Sequence, residues 1–212
     1  MSEHYVYAND DYYPIKEQLA SQYFTDDGRP VKNKMSFDIV RTTPGFLKRQ
    51  LVDNKWVACC RKSFDVLKDA YGFDLFKTFP VALREPFYAR CRHMPNPCVK
   101  SDVRKLLVDC GIDKMRFSIA RDFGDVMMCV VNAFYVSCVG ADGNPPSNIT
   151  LPYDKEINDK LNKLSQDMLN EYLSDRTRER DNLCMNDTND ETRAFFANWL
   201  DTMFPDKCKY EV

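Results

Sequence analysis

Along the last third of the chain, apolar side chains return at steps of three and four. Ile157, Leu161, Leu164, Met168 and Tyr172 mark one stripe of a long amphipathic helix. Farther on, Thr188-Asn189-Asp190-Glu191 has the form of a capping box. Phe195, Phe196, Trp199, Leu200 and Met203 then make the apolar face of a second helix. A loop around residues 182–188 joins the two, so residues 154–212 are expected to hold an antiparallel helix pair.

Nearer the middle the period shortens. Residues 36–41 alternate as a strand does, and the runs 46–52 and 55–61 flank Asp53-Asn54, a hairpin-turn pair. A small antiparallel sheet over 36–61 is therefore predicted. Ser63 can cap a helix to about Phe79, weakened or split at Gly72, with Phe64, Leu67, Ala70 and Tyr71 on one face. A short helix is expected over Val81–Arg92, with Pro86 in its first turn or breaking it. His93–Cys98, with two prolines, reads as a loop. Ser101 opens a further helix carrying Val103, Leu106, Leu107 and Cys110, and Gly111 ends it.

Asp122–Asp125 is a turn between two expected strands, Met115–Arg121 and Val126–Val139. The second run is long enough for a central strand, with a buried helix as the alternative. A loop over Gly140–Pro146 leads to a short strand at Asn148–Tyr153. At the amino end, Pro14 opens a short helix with Ile15, Leu19 and Tyr23, and Asp26–Pro30 is a turn. The expected class is α+β: a small antiparallel sheet with packed helices and a C-terminal antiparallel helix pair. The expected parts are an acidic arm (1–30), a basic α+β core (31–153) and a helical region (154–212).

Composition narrows the field. With 212 residues, 44% hydrophobic and 13% aromatic, the chain can bury a core without disulfides or metal. Only 7 Gly speaks against a glycine-rich phosphate cradle. Met1–Tyr13 is acidic and polar, unlike a secretory signal, and the apolar run 126–139 is interrupted by Asn132 and Ser137 and too short to cross a bilayer. A cytoplasmic protein without a membrane partner is expected. In a reducing compartment the 9 Cys act as small buried hydrophobes.

Charge is distributed in blocks. Residues 1–30 carry a net −4, 31–122 a net +9 from nineteen basic and ten acidic side chains, 123–153 a net −2, and 154–212 a net −5. A block of +9 can attract polyanions, unless the acidic ends or a protein partner balance it. Within it, cations interleave with aromatics: Phe46, Lys48, Arg49, Lys55, Trp56, Arg61 and Lys62, then Phe87, Tyr88, Arg90 and Arg92. Single-strand-binding surfaces pair such cations with phosphates and such rings with bases, although strand aromatics more often face a core.

Other constellations are weaker. Cys91, His93 and Cys98 place three soft ligands in eight residues, but the spacing is not a zinc knuckle. With only His4 and His93 as histidine bases and no GxSxG elbow, nucleophilic hydrolysis is not supported. Asp122-Phe123-Gly124 spells a kinase tripeptide without the other kinase segments. Gly140-Ala-Asp-Gly143 has the GxxG spacing of an RNA-clamping loop, yet it holds Asp142 and runs into two prolines, and no family is assigned from it.

The expectation is a non-enzymatic protein without a cofactor that binds RNA or single-stranded nucleic acid. The contact residues would be Lys48, Arg49, Lys55, Trp56, Arg61, Lys62, Arg90 and Arg92. The alternative is a protein-interaction or homo-oligomeric assembly module working through the C-terminal helices. The absence of familiar motifs leaves a virus- or phage-encoded accessory role within either expectation.

Overall fold

A computed structural model describes residues 2–8, 12–33, 37–41, 44–73, 87–91, 94–115, 122, 125–151, 171, 174, 178, 180–185 and 190–205. In chain order its elements are β1 (His4–Tyr7), β2 (Tyr12–Pro14), β3 (Phe37–Arg41), α1 (Pro44–Asp53), α2 (Lys55–Tyr71), β4 (Phe87–Cys91), β5 (Asn96–Val99), α3 (Lys100–Asp109), α4 (Met128–Val139), β6 (Asn148–Leu151), β7 (Asn182–Met185) and α5 (Asp190–Met203). The class is α+β. Residues 1–8 with 19–145 form one compact unit, and 9–18 with 146–212 form another.

The first unit is built on α4. Val130, Val131, Ala133, Phe134 and Val136 of this helix are buried, against Cys60, Phe64 and Leu67 of α2 and Leu106 of α3. The rings of Phe64 and Phe134 lie 4.9 Å apart at a tilt of 59°. Each such large side chain stabilises the fold by about 1.5–3 kcal/mol when fully buried. The expected central strand over 126–139 is thus a helix. A run apolar on all sides suits a buried helix, which satisfies its backbone within itself. The strands of this unit form two separate antiparallel pairs, β1–β5 and β3–β4, among the described residues.

Two polar groups hold α4 in place. Ser63 Oγ donates to Cys59 O at 2.7 Å and accepts the Met127 amide at 2.9 Å, tying the helix entry to α2. Asn132, mid-helix and buried, donates through Nδ2 to Pro97 O at 3.0 Å and to Cys98 Sγ at 3.3 Å. A buried amide with such partners costs little, and it positions β5 against the helix.

The predicted sheet over 36–61 is corrected. β3 is a strand, as its alternation implied, but it pairs with β4, register Phe37↔Cys91 to Arg41↔Phe87. Residues 46–53 and 55–61 are helical. Asn54 is not a hairpin turn but the N-cap of α2, its side chain accepting the Val57 amide at 3.2 Å. Gly72, at φ 69°, ends α2 with its amide on Lys68 O at 2.7 Å. The helix expected over 81–92 is strand β4 at 87–91, and the loop expected over 93–98 contains β5, which pairs with β1.

α3 matches the helix expected from Ser101, and Gly111 leaves it at φ 65°. Its start is capped from the amino end of the chain: Glu3 O accepts the Lys100 amide at 2.8 Å, and Glu3 Oε1 accepts the Ser101 amide at 3.0 Å. The short helix expected after Pro14 is replaced by β2, which ends at Pro14, and a single 3₁₀ turn at Ala20–Gln22.

In the second unit β7 is the central strand, with β2 antiparallel on one side and β6 parallel on the other. The predicted strand at 148–153 is β6, whereas the expected loop at 182–188 contains β7. Asp181 joins the three strands: its Oδ2 accepts Ser147 N (2.7 Å) and Oγ (2.8 Å), and its carbonyl accepts the Ile15 amide at 2.9 Å. The helix expected behind the capping box is α5, with Trp199 buried. Apart from Glu171, the helix expected over 157–172, and so the helix pair, falls outside the described residues, as does, apart from Met115, the strand expected over Met115–Arg121.

Candidate nucleic-acid interface

α1 begins at Pro44, whose fixed φ and missing amide suit a first helical turn. One residue, Asn54, separates it from α2, and the two helices pack together. Lys48 and Arg49 are exposed on α1; Lys55, Arg61 and Lys62 are exposed on α2. Six of the eight expected contact residues, these five and Trp56, therefore lie on adjacent helices of one unit, not on a sheet.

Their neighbours differ. Arg61 Nε meets Asp65 Oδ1 at 3.1 Å across one helical turn. Lys48, Arg49 and Lys62 make no ion pair among the described residues. Phe46 is 38% exposed, with the Arg49 guanidinium 5.8 Å from its ring centre.

Trp56 is half-buried and packs against the core, its indole N–H donating to Cys91 O at 3.3 Å. Arg90 belongs to β4, paired in register with Asp38, and its side chain lies outside the described residues, as does all of Arg92. The ring exposed beside the cations is thus Phe46.

Of the three soft ligands noted in the sequence, Cys91 and Cys98 are described. Cys91 is buried, its amide directed at Cys60 Sγ at 3.4 Å, and burial with Cys60 beside it pushes its thiol well up. Burial pushes the Cys98 thiol up to about 11, against the opposing pull of the Tyr5 hydroxyl that hydrogen-bonds it. Thiols kept protonated are poor nucleophiles and ligands. His93 lies outside the described residues. Among the described residues, no group of three or more His, Cys, Asp or Glu could hold a metal ion.

On the expected assembly face, Trp199 is buried and Leu200 half-buried; the side chains of Phe195, Phe196 and Met203 lie outside the described residues. Among the described residues, no helix is long and apolar enough to cross a membrane.

Sequence reasoning missed one feature of the first unit, a cleft of about 430 Å³ between β1 and the amino end of α4, lined by Tyr5, Tyr7, Asp125, Met127 and Met128. Its signal was present: His4-Tyr5-Val6-Tyr7 alternates as a strand and puts both tyrosines on one face.

The fold and this surface together define a two-unit α+β protein with a helical basic face. No protein-family model matches the chain, and no curated protein matches it either.

Proposed function

We propose that the chain is a non-enzymatic, cytoplasmic protein that binds RNA or single-stranded nucleic acid through the exposed side of α1 and α2. Lys48, Arg49 and Lys62 carry this reading: three exposed cations on consecutive helices, beside an exposed ring. Cations without a carboxylate partner are available to phosphates, and binding releases the counterions condensed on the strand. Arg61 contributes less, because Asp65 occupies its guanidinium. Phe46 can stack on an unpaired base, which favours single strands over a duplex whose bases are stacked internally.

The test is fluorescence anisotropy with labelled mixed-sequence RNA and single-stranded DNA at low salt. Three phosphate contacts predict that log affinity falls against log salt with a slope of about −2, at roughly 0.7 per contact for single strands. Absence of binding at low salt, or affinity independent of salt, overturns the proposal.

A further inference from the structure

The cleft beside β1 lies apart from the basic helices and has a different chemistry. Tyr5 and Tyr7 supply two aromatic rings from alternate positions of one strand, and Met127 and Met128 supply flexible thioether side chains from the start of α4. The inner wall is fixed by Asn132, whose side-chain amide is tied to Pro97 O and Cys98 Sγ. Tyr5 is anchored by its hydrogen bond to Cys98. Tyr7 is 42% exposed at the rim.

Among the lining residues, all of them described, Asp125 alone carries a formal charge at neutral pH. Its Oδ2 accepts the Asp122 amide at 2.7 Å, which holds the carboxylate at the cleft. Charge and ring faces therefore agree in sign, because a carboxylate and the negative face of a tyrosine both attract a cation. The volume of about 430 Å³ is at the lower end for small-molecule sites, which run from roughly 300 to 1,000 Å³. That suits a body of one or two rings and is small for a nucleotide. Methionine adapts to such a body and makes favourable sulfur–ring contacts.

We propose that this cleft binds a small organic cation, an aromatic or alkyl body bearing an ammonium group. The ammonium meets Asp125 and the tyrosine faces, and the body lies along Met127 and Met128.

The experiment is a titration of methyl-¹³C-methionine protein with benzylamine, benzyltrimethylammonium and benzyl alcohol, followed by the Met127 and Met128 methyl signals. Both cations are expected to move these two signals. Benzyl alcohol, matched in body but uncharged, should bind about fivefold more weakly, the size of one partly exposed charge or cation–π contact. Asp125→Asn keeps an acceptor for the Asp122 amide and removes the charge, so it should weaken benzylamine about fivefold and leave benzyl alcohol unchanged. Tyr7→Ala, at an exposed position, should weaken both cations. Signals unmoved at millimolar cation, or equal affinity for benzyl alcohol and benzylamine in the wild-type protein, overturn the proposal without recourse to any variant.

Discussion

Gly140 has an ordinary φ of −63°, so its backbone does not require glycine. Its neighbours do. A Cβ there would stand 2.6 Å from Val136 O and 2.7 Å from Pro30 O, both backbone atoms. The missing side chain lets Pro30–Val31 cross the end of α4, where the Ala141 amide bonds Pro30 O at 2.8 Å and the Lys32 amide bonds Ala141 O at 2.8 Å. Gly143 serves the same crossing, since a Cβ there would meet Val31 Cγ1 at 2.8 Å. The GxxG spacing in the sequence thus coincides with two steric requirements. Gly140→Ala should destabilise the first unit by about 1–3 kcal/mol, the range for forcing atoms into a packed site. Chemical denaturation measures this, and an unchanged midpoint would contradict it. The spacing was legible, but besides the local Val136 carbonyl the atoms it accommodates belong to Pro30 and Val31, more than a hundred positions earlier, and no local pattern shows them.

At the scale of elements, β1 and α3 are joined through Glu3. Side-chain and backbone hydrogen bonds from Ser101 hold the Glu3 carboxyl below its ordinary value of 4.5. A carboxylate whose folded pKa is depressed stabilises the fold fully above its unfolded value and loses that contribution as pH falls through the folded value. Wild-type protein should therefore protect the β1–β5 amides from hydrogen exchange better than Glu3→Gln near neutrality, and the difference should close as pH drops below about 4.5. A gap that persists unchanged to lower pH would show that the charge is not responsible.

Other elements show how far pattern alone reaches. α3 and the start of α5 carry their boundaries in the chain, as Gly111 and the residues before Asp190. The segment 46–61 misleads because Asn54 serves a hairpin turn and a helix N-cap equally well. Only the packing of α2 among α4, β4 and α1, in which Val57, Ala58, Cys59 and Cys60 are buried in succession, selects the cap. Val126–Val139 is apolar apart from Asn132 and Ser137 and therefore nearly silent about period, and the partners it meets decide for a helix.

Over the whole molecule, the charge pattern acquires positions without losing its sign. Part of the amino-terminal acid has local partners within the first unit, Glu3 at Ser101 and Asp27 at Arg29, where Nε and Oδ2 are 2.8 Å apart. The exposed cations of α1 and α2 are supported by a core that does not depend on them. Combined Lys48→Glu, Arg49→Glu and Lys62→Glu substitutions should therefore leave the far-ultraviolet circular dichroism unchanged. They should lower affinity for single-stranded RNA on the order of tenfold or more at low salt and flatten its salt dependence. A triple variant that binds as the wild type does would remove this face from the interaction.

Composition, charge blocks and capping residues are properties of the chain itself, and from them followed the α+β class, the strand at 37–41, the helices at 100–109 and 190–203, and the basic character of the middle. Hydrophobic burial, by contrast, is a property of pairs of segments. It took the folded protein to make the longest apolar run a helix, to turn Asn54 into a cap, and to draw Trp56 half inside with its N–H on Cys91. The same long-range packing brought Tyr5 and Tyr7 to Asp125 across more than a hundred residues, because side chains far apart in sequence share a site only after the core between them has formed.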